Sequence, residues 1–185
     1  ALEEGKRILF IPDRCLGQNI ANAKGLKSSV VGVDSDEDIK SSKVICYNGF
    51  CSVHQLFEVG DVEFYRAKYP DILIITHPEC KPEVVALSDF VGSTSQIIAY
   101  VKNLPLEQKV AIGTEYNLVH RLREKNTFIL SSTIPSCPTM NETTLQDLYD
   151  ALLSIKNGEL RNEITINEET AKWARVALER MFEIK

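Results

Sequence analysis

The segment from Tyr47 to His54, Tyr-Asn-Gly-Phe-Cys-Ser-Val-His, places a thiol and an imidazole at one turn of the chain. It follows the apolar run Lys43–Cys46, which predicts a buried strand, and it is predicted to open a helix. Turns of this kind in α/β proteins lie at the carboxyl edge of the sheet, where ligands bind and where a helix N-terminus favours anions or thiolates. Cys51 and His54 are three residues apart, so we expect both to project from the first turn of that helix.

A second cluster of reactive side chains, His77, Glu79 and Cys80, follows the most hydrophobic predicted strand, and Pro78 makes this turn rigid. A core strand has no structural need for an imidazole, a carboxylate and a thiol at its exit, which favours a functional role. His77 could donate a hydrogen bond to an oxyanion, and Glu79 could transfer a proton. The alternative is a surface turn in which Glu79 is merely solvated and Cys80 is buried.

The sequence Gly92-Ser93-Thr94-Ser95 opens a predicted helix that runs to Lys102. Hydroxyl groups and backbone N–H groups at a helix N-terminus can bind a phosphate or a carboxylate. The alternative is plain N-capping by Ser93 or Ser95. The loop lacks the lysine of a Walker motif, which argues against binding of a nucleoside triphosphate.

Other predicted strand ends also carry polar residues. Asp13 and the sequence Gly113-Thr114-Glu115 stand at such ends, where helix capping is at least as good an interpretation as a role in a site. Cys137 is followed by Pro138, which excludes continuation of a strand. A cysteine followed by proline resembles a cluster ligand, although the pair alone is a weak motif.

Short apolar runs alternate with helical patterns along the chain, which predicts an α/β fold built on parallel sheets. Asn141 is predicted to cap the helix that begins near Thr143, and Asn157-Gly158 to end it. The predicted strands are Arg7–Ile11, Ser29–Val33, Lys43–Cys46, Ile72–Ile75, Val110–Ile112, Thr127–Leu130 and Glu163–Ile166. The clearest predicted helices are Val62–Lys68, Pro82–Ser88, Ser93–Lys102, Tyr116–Lys125, Thr143–Lys156 and Glu168–Phe182.

Composition narrows the class of protein. With 185 residues, 44% of them hydrophobic and 25% charged, the chain can form one large domain or two small ones with a sizeable core. The net charge of -5 and the absence of a basic stripe argue against a nucleic-acid footprint. The longest apolar run is far shorter than the roughly 20 residues of a membrane span, and no signal peptide is visible. The five cysteines are an odd number without regular spacing, which indicates a reducing, cytoplasmic compartment.

The motifs also occur in a specific order. They are Pro12-Asp13 with Leu16-Gly17, Gly49-Phe50-Cys51-Ser52-Val53-His54, His77-Pro78-Glu79-Cys80, Gly92-Ser93-Thr94, Gly113-Thr114-Glu115 and Cys137-Pro138-Thr139-Met140. This series closely resembles the quinolinate synthase (NadA) family over the whole chain. The resemblance implies an oxygen-sensitive [4Fe–4S] enzyme that condenses iminoaspartate with dihydroxyacetone phosphate to quinolinate, with loss of phosphate and water, in de novo NAD biosynthesis. It also implies three cysteine ligands and a fourth iron with an open position, which acts as a Lewis acid.

The resemblance assigns roles to individual residues. By motif, it implies that Cys51 and Cys137 ligate the cluster and that the third cysteine ligand lies outside this chain. Cys80 is interpreted as a neighbour, because family members can carry serine after His-Pro-Glu. The other implied roles are substrate contact by His77 and Glu79, acid–base catalysis by Glu79, binding of a carboxylate or phosphate by Ser93 and Thr94, and lining of the same cavity by His54.

The family architecture implies three-layer αβα sandwich domains with small parallel sheets around a pseudo-threefold axis, of which this chain holds about two. Cys51 and Cys137 lie 86 residues apart, which would be one repeat. Residues 1–50 would be the remainder of the second domain and residues 51–141 the third domain. Residues 142–185 would be C-terminal helices and a strand that pack back toward an absent first domain. Ala1–Gly5 resembles the last turn of a helix, so the chain is expected to be the later part of a longer protein and to be inactive alone.

The expected partners are the two small-molecule substrates, without nucleic acid or membrane. The resemblance also implies a functional link to L-aspartate oxidase, the enzyme that supplies iminoaspartate. Two alternatives from other classes remain open at the level of sequence. One is a metal-free α/β binding or regulatory module that holds a small phosphate ester at the Ser93-Thr94 and His77 turns. The other is a zinc enzyme that uses Cys51, His54 and His77, although catalytic zinc usually has a more compact ligand motif.

Overall fold

The computed structural model describes residues 2–183. The chain divides into two units, residues 1–138 and residues 139–185, which are described separately. The strands are β1 (Ile8–Phe10), β2 (Ser28–Val30), β3 (Val44–Cys46), β4 (Leu73–Thr76), β5 (Phe90–Val91), β6 (Val110–Gly113) and β7 (Thr127–Ile129). The helices are α1 (Arg14–Ala23), α2 (Asp36–Ser41), α3 (Val59–Lys68), α4 (Pro82–Val85), α5 (Thr94–Asn103), α6 (Tyr116–Arg121), α7 (Leu145–Lys156) and α8 (Glu168–Glu183).

The first sheet has three parallel strands in the order β1-β3-β2. Phe10 and Val30 pair with Cys46 on either side of it, and Ala21 of α1 packs on this layer. The sequence did not predict α1, because its central glycine and its asparagines are poor helix formers. That glycine is required by packing, since a Cβ at Gly17 would lie 2.6 Å from the Cys46 Sγ atom. Close contact between helix and sheet therefore outweighs the weak local propensity.

The second sheet has four parallel strands in the order β5-β4-β6-β7. Neighbouring residues of a strand point to opposite faces, and Ile74 and Ile75 accordingly enter two different core clusters. Ile74 packs with side chains of α3, α4 and the loop before α3, while Ile75 packs with side chains of α5 and α6. Helices therefore cover both faces of this sheet. The predicted α/β class, with small parallel sheets flanked by helices, is confirmed.

The predicted strand Glu163–Ile166 is wrong. These residues form no strand in the structure, and Ile164 and Ile166 are largely exposed. The alternation of apolar residues marks a face that can be covered, but a strand also needs a neighbouring strand for its backbone hydrogen bonds. No strand within the described residues pairs with this segment.

The second unit begins its first long helix later than predicted. The N-cap of α7 is Thr144, not Asn141, because Thr144 and Asp147 form a reciprocal capping box. The helix ends as predicted, with Gly158 in the left-handed region at φ +77°. At the other end of the chain, Gly5 also has a positive φ and closes a turn to Leu2, whereas Ala1 of the predicted N-terminal turn lies outside the described residues. Between residues 2 and 183, no helix has both the length and the apolar character needed to cross a membrane.

Candidate active site

The polar turns singled out in the sequence meet at the carboxyl edges of the two sheets. In the first sheet, Asp13 follows β1 and Cys51 follows β3, and Asp13 forms an isolated parallel bridge with Gly49. In the second sheet, His77 follows β4 and Thr114 follows β6, and the His77 N–H donates to the Gly113 carbonyl oxygen at 3.0 Å. Parallel strands bring their carboxyl ends to one edge, so residues that are far apart in sequence come together.

Cys51 is positioned by Asp13. One oxygen of the buried Asp13 carboxylate accepts the Leu16 N–H at 2.8 Å and caps α1, and the other accepts the Cys51 N–H at 2.9 Å. Gly49 allows the turn to approach this closely, because a Cβ there would lie 2.3 Å from the Pro12 carbonyl oxygen. Asp13 is thus a helix cap, as the sequence suggests, and it also anchors the turn that carries Cys51.

The expectation that Cys51 and His54 share the first turn of a helix is wrong. His54 begins a single 3₁₀ turn, His54–Leu56, and α3 begins only at Val59. The start of α3 is set by Glu58 and Asp61, whose side chains form a capping box. Cys51 therefore lies on a loop and has no helix N-terminus of its own, and its position depends on the hydrogen bond to Asp13.

Replacement of Asp13 by asparagine is expected to lower the free energy of unfolding by about 2 kcal/mol, because an amide cannot accept both N–H groups. The same change should speed alkylation of Cys51, since its backbone would lose an anchor. Urea unfolding and the rate of labelling of Cys51 measure the two effects. Asp71→Asn is the matched control, because Asp71 is exposed and its side chain makes no hydrogen bond within the described residues. Equal behaviour of the two variants would contradict the role of Asp13.

The centre of the site is a hydrogen-bonded chain of Glu79, His54 and Thr114. The Nδ1 atom of His54 lies 3.0 Å from Glu79 Oε2, and its Nε2 atom lies 3.2 Å from Thr114 Oγ1. The His77 ring stacks on the His54 ring at a centroid distance of 4.4 Å, and both rings are largely shielded from solvent. Two imidazoles, a carboxylate and a hydroxyl are thus locked in one orientation.

The protonation of His77 follows from its surroundings. Burial, together with the neighbouring His54, lowers the pKa of His77 from its usual 6.5 to about 4. The neutral ring accepts the Glu79 N–H at Nδ1, at 3.3 Å, and this leaves Nε2–H as its donor. The hydrogen bond from His54 lowers the pKa of Glu79 and outweighs the opposing effect of burial. At neutral pH the site therefore holds a neutral His77 and an ionised Glu79.

His77 makes the stability of the protein depend on pH. Unfolded His77 takes up a proton near pH 6.5 but folded His77 only near pH 4, so between these values the unfolded state binds more protons. The free energy of unfolding is therefore expected to fall as the pH falls through this window, and Glu79 acts in the same direction as its own lowered pKa is passed. Urea unfolding from about pH 7 to about pH 4.5 should show a smaller decline for His77→Gln than for the wild type. The exposed His120→Gln is the control, and an equal decline in His77→Gln would contradict this assignment.

A cleft of about 290 Å³ opens beside this chain of residues. Cys51 and Glu79 line it together with residues of the turns that follow β1 and β3, namely Pro12, Asp13, Tyr47, Gly49 and Phe50. Phe50 stands at its rim, more than half exposed, with the Arg14 guanidinium 4.9 Å from its ring centroid. The cleft therefore gives solvent access to a thiol and a carboxylate that are otherwise partly buried.

Ser93 and Thr94 lie at the same edge of the second sheet, at the exposed N-terminus of α5. Gly92, which precedes them, donates its N–H to the carbonyl oxygen of Thr76, the last residue before His77. Ser93 is the N-cap of α5, and Gln96 completes a capping box with it. The interpretation of Ser93 as a helix cap is thus confirmed, and its capping box already pairs the N–H groups of Ser93 and Gln96.

The five cysteines fall into two groups. Cys15, Cys46 and Cys80 are buried, whereas Cys51 and Cys137 are partly exposed. Burial raises the pKa of Cys80, whose thiol donates to the Gly113 carbonyl oxygen inside the core. Cys137 lies beyond β7, and its N–H donates to Glu115 Oε1 at 3.5 Å. Glu115 directly follows Thr114 in the sequence. The two accessible thiols are those that the motifs assign to a cluster, and soft thiolates are the ligands that iron–sulfur clusters use.

Two residues that hold this site in place, Thr114 and Asn19, were not predicted from the sequence to do so. Thr114 was left with a capping interpretation, and it is Glu115 that caps α6 while Thr114 contacts His54. Asn19 donates to the carbonyl oxygens of Pro78 and Cys80, both at 2.8 Å, and so ties α1 to the His77–Cys80 turn. A polar residue on the buried side of a helix is the only local signal of such a role, and it becomes visible only once α1 is known.

Comparison with known proteins gives a consistent result. A family model described as "Quinolinate synthetase A protein" (NadA) matches residues 1–183. Quinolinate synthase from Helicobacter pylori strain HPAG1 is 58% identical over 188 aligned positions, which cover 100% of this chain and 56% of that protein. Quinolinate synthase from Rhodopirellula baltica is 40% identical, with 100% of this chain and 51% of the relative covered. The corresponding protein from Listeria monocytogenes EGD-e is 39% identical, with 100% and 54% covered. The chain thus spans just over half the length of the curated relatives it matches.

Proposed function

Since this chain belongs to the quinolinate synthetase A (NadA) family, we propose that it forms part of an enzyme that condenses iminoaspartate with dihydroxyacetone phosphate to quinolinate. The atoms balance when one phosphate and two molecules of water leave. The observation that carries this proposal is the convergence of Cys51, His54, Glu79 and Thr114 at the carboxyl edges of two parallel sheets, beside an open cleft. An anionic condensation with several proton transfers needs such a set of fixed acid–base groups.

We propose further that Cys51 and Cys137 hold a [4Fe–4S] cluster together with a third cysteine outside this chain. The partial exposure of these two thiols, in contrast to the three buried cysteines, supports this ligand set. When bound, the cluster supplies an open iron position that polarises oxygen atoms of the substrate as a Lewis acid. Residues 1–50 would be the remainder of the second repeated domain and residues 51–141 the third, with residues 142–185 as a C-terminal segment that packs back toward the first domain. The exposed apolar residues of α7, among them Leu148 and Leu152, support packing of the last segment against a further part of the whole protein.

The chain's own residues contribute binding and proton transfer. Ser93 and Thr94, with the N–H groups of the first turn of α5, bind a carboxylate or the phosphate group. The neutral His77 donates from Nε2 to a developing oxyanion, and its lowered pKa keeps the ring uncharged at neutral pH.

Glu79 is the general base and, once protonated, the general acid. The His54 N–H donates to its carboxylate and lowers its pKa, so Glu79 is ionised at neutral pH and can accept a proton from a carbon or nitrogen atom of the substrate. His54 lines the same cavity and holds Glu79 in place, and Thr114 fixes the His54 ring from the other side. The cleft beside Glu79 provides the route by which water and phosphate leave.

This function places the protein in the reducing cytoplasm, where an oxygen-sensitive cluster survives, and links it functionally to L-aspartate oxidase as the source of iminoaspartate. The test is an anaerobic assay of quinolinate formation by the full-length protein and by residues 1–185 alone. We expect the full-length protein to form quinolinate and the shorter chain to form none, because the shorter chain lacks one cluster ligand. A measurable rate from residues 1–185 would contradict the proposed division of the site.

A further inference from the structure

We propose that Cys51, His54 and Glu79 form a binding site for a single divalent transition-metal ion, with Zn²⁺ as the best match, in protein that carries no cluster. Each residue offers one ligand atom, and the three atoms lie within 4.8 Å of one another. Zinc binds sulfur, nitrogen and carboxylate oxygen at about 2.0–2.3 Å. An ion placed among these atoms therefore needs only small rotations of side chains that already face one another across two turns.

The donor set selects the ion. A thiolate and an imidazole disfavour Mg²⁺ and Ca²⁺, which prefer oxygen ligands, and favour zinc and its neighbours in the first transition series. A thiolate and a carboxylate also carry two negative charges, which neutralise a divalent cation in a partly buried site. Zinc does not change its oxidation state on binding, so the proposed site needs no oxidant or reductant.

A second observation supports the same site. The Nε2 atom of His54 faces the Oγ1 atom of the buried Thr114 at 3.2 Å while Nδ1 faces Glu79. Histidines that ligate metals usually make a hydrogen bond through the other ring nitrogen, and this bond fixes the ring and its tautomer. His77 stacks on the same ring from the side and accepts the Glu79 N–H, so it braces the site and is not one of the three ligands.

The cleft supplies the remaining features of a metal site. It has a volume of about 290 Å³ and is lined by Cys51 and Glu79, so it offers an entry path to two of the three ligands. Three protein ligands leave the fourth tetrahedral position to water, which the open cleft can supply. All three residues belong to one compact unit of the chain, so no ligand has to come from another part of the protein.

Zinc and the cluster would exclude each other, because both need the Cys51 thiolate. This consequence, unlike the zinc site itself, rests on the proposed function. A protein that has taken up zinc is expected to accept no cluster until the zinc is removed by a chelator. Zinc would thus compete with cluster assembly for the Cys51 thiolate.

The test uses anaerobically prepared full-length apoprotein, titrated with Zn²⁺ against a chromophoric chelator and, in parallel, with Co²⁺. We expect one Zn²⁺ per chain and a thiolate-to-cobalt charge-transfer band in the wild type. Thr114→Val should weaken zinc binding by about 10- to 100-fold, as loss of an outer-shell partner does, and Glu79→Gln should weaken it by more. Glu83→Gln, an exposed glutamate four residues away, is the matched control and should bind zinc like the wild type.

Cys137→Ala separates the zinc site from the cluster, because Cys137 is assigned to the cluster but not to the zinc site. It should lose the cluster and keep the zinc affinity, whereas Glu79→Gln should lose zinc affinity and keep the cluster. The zinc site is overturned if the wild type binds no zinc, if Glu79→Gln binds zinc like the wild type, or if Cys137→Ala weakens zinc binding as much as Glu79→Gln. If zinc binds as described while the wild type accepts no cluster under any condition, the zinc site stands and the proposed function fails.

Discussion

Cys51→Ala is expected to abolish the iron–sulfur cluster of the full-length protein, while Cys80→Ala is expected to retain it. Cys51 is a partly exposed thiol at the edge of an open cleft, held by a backbone hydrogen bond to Asp13. Cys80 is fully buried in the apolar core of the second sheet, where its thiol donates to a carbonyl oxygen. Only Cys51 can present its sulfur to a cluster without rearrangement of the core.

The measurement is iron and acid-labile sulfide per chain after anaerobic reconstitution, together with the brown colour of the protein. Cys80→Ala removes a buried sulfur and should cost about 1 kcal/mol of stability without loss of colour. Both variants change cysteine to alanine, so the comparison is matched in chemistry and differs in position. A colourless Cys80→Ala with a brown Cys51→Ala would overturn the assignment of the ligand.

Glu79→Gln is expected to lower kcat by about 10²- to 10⁴-fold, the usual contribution of a positioned acid–base group. Glutamine keeps the size and an oxygen that can accept the His54 N–H, so the fold and the orientation of His54 should persist. It cannot accept a proton from the substrate, and this loss should appear in kcat more than in KM. Quinolinate formation under anaerobic conditions measures both parameters.

Glu83→Gln controls for the loss of one negative charge near this turn. Glu83 is an exposed residue in the first turn of α4, and its replacement should leave kcat within about 2-fold of the wild type. The iron content of Glu79→Gln must equal that of the wild type, so that the loss is not caused by a missing cluster. A Glu79→Gln enzyme with full kcat and a full cluster would show that another group transfers the proton.

Local patterns were sufficient for most of the fold. The apolar runs that became β4 and β6 are buried on both faces, and such runs are easily recognised between turn residues. The sequence could not reveal α1, because its glycine is explained only by contact with Cys46 across the sheet. It also suggested the strand at Glu163–Ile166, since alternation cannot report whether a partner strand exists.

The residues of the site could be predicted from the sequence, but the contacts between them could not. Motif order brought out Cys51, His54, His77 and Glu79, and the structure places all four at neighbouring sheet edges. The hydrogen bonds that fix them join residues far apart in the sequence, such as His54 and Thr114, which are separated by 60 positions. No local pattern encodes such a contact, because it is created by the order of the strands in the sheet.

The most direct test of the proposed site is a crystal structure of the anaerobically prepared full-length protein with quinolinate bound. We expect a cluster joined to Cys51 and Cys137, with the product within hydrogen-bonding distance of His77, Glu79 and the first turn of α5 at Ser93 and Thr94. A cluster held by Cys80, or quinolinate bound away from these turns, would contradict it.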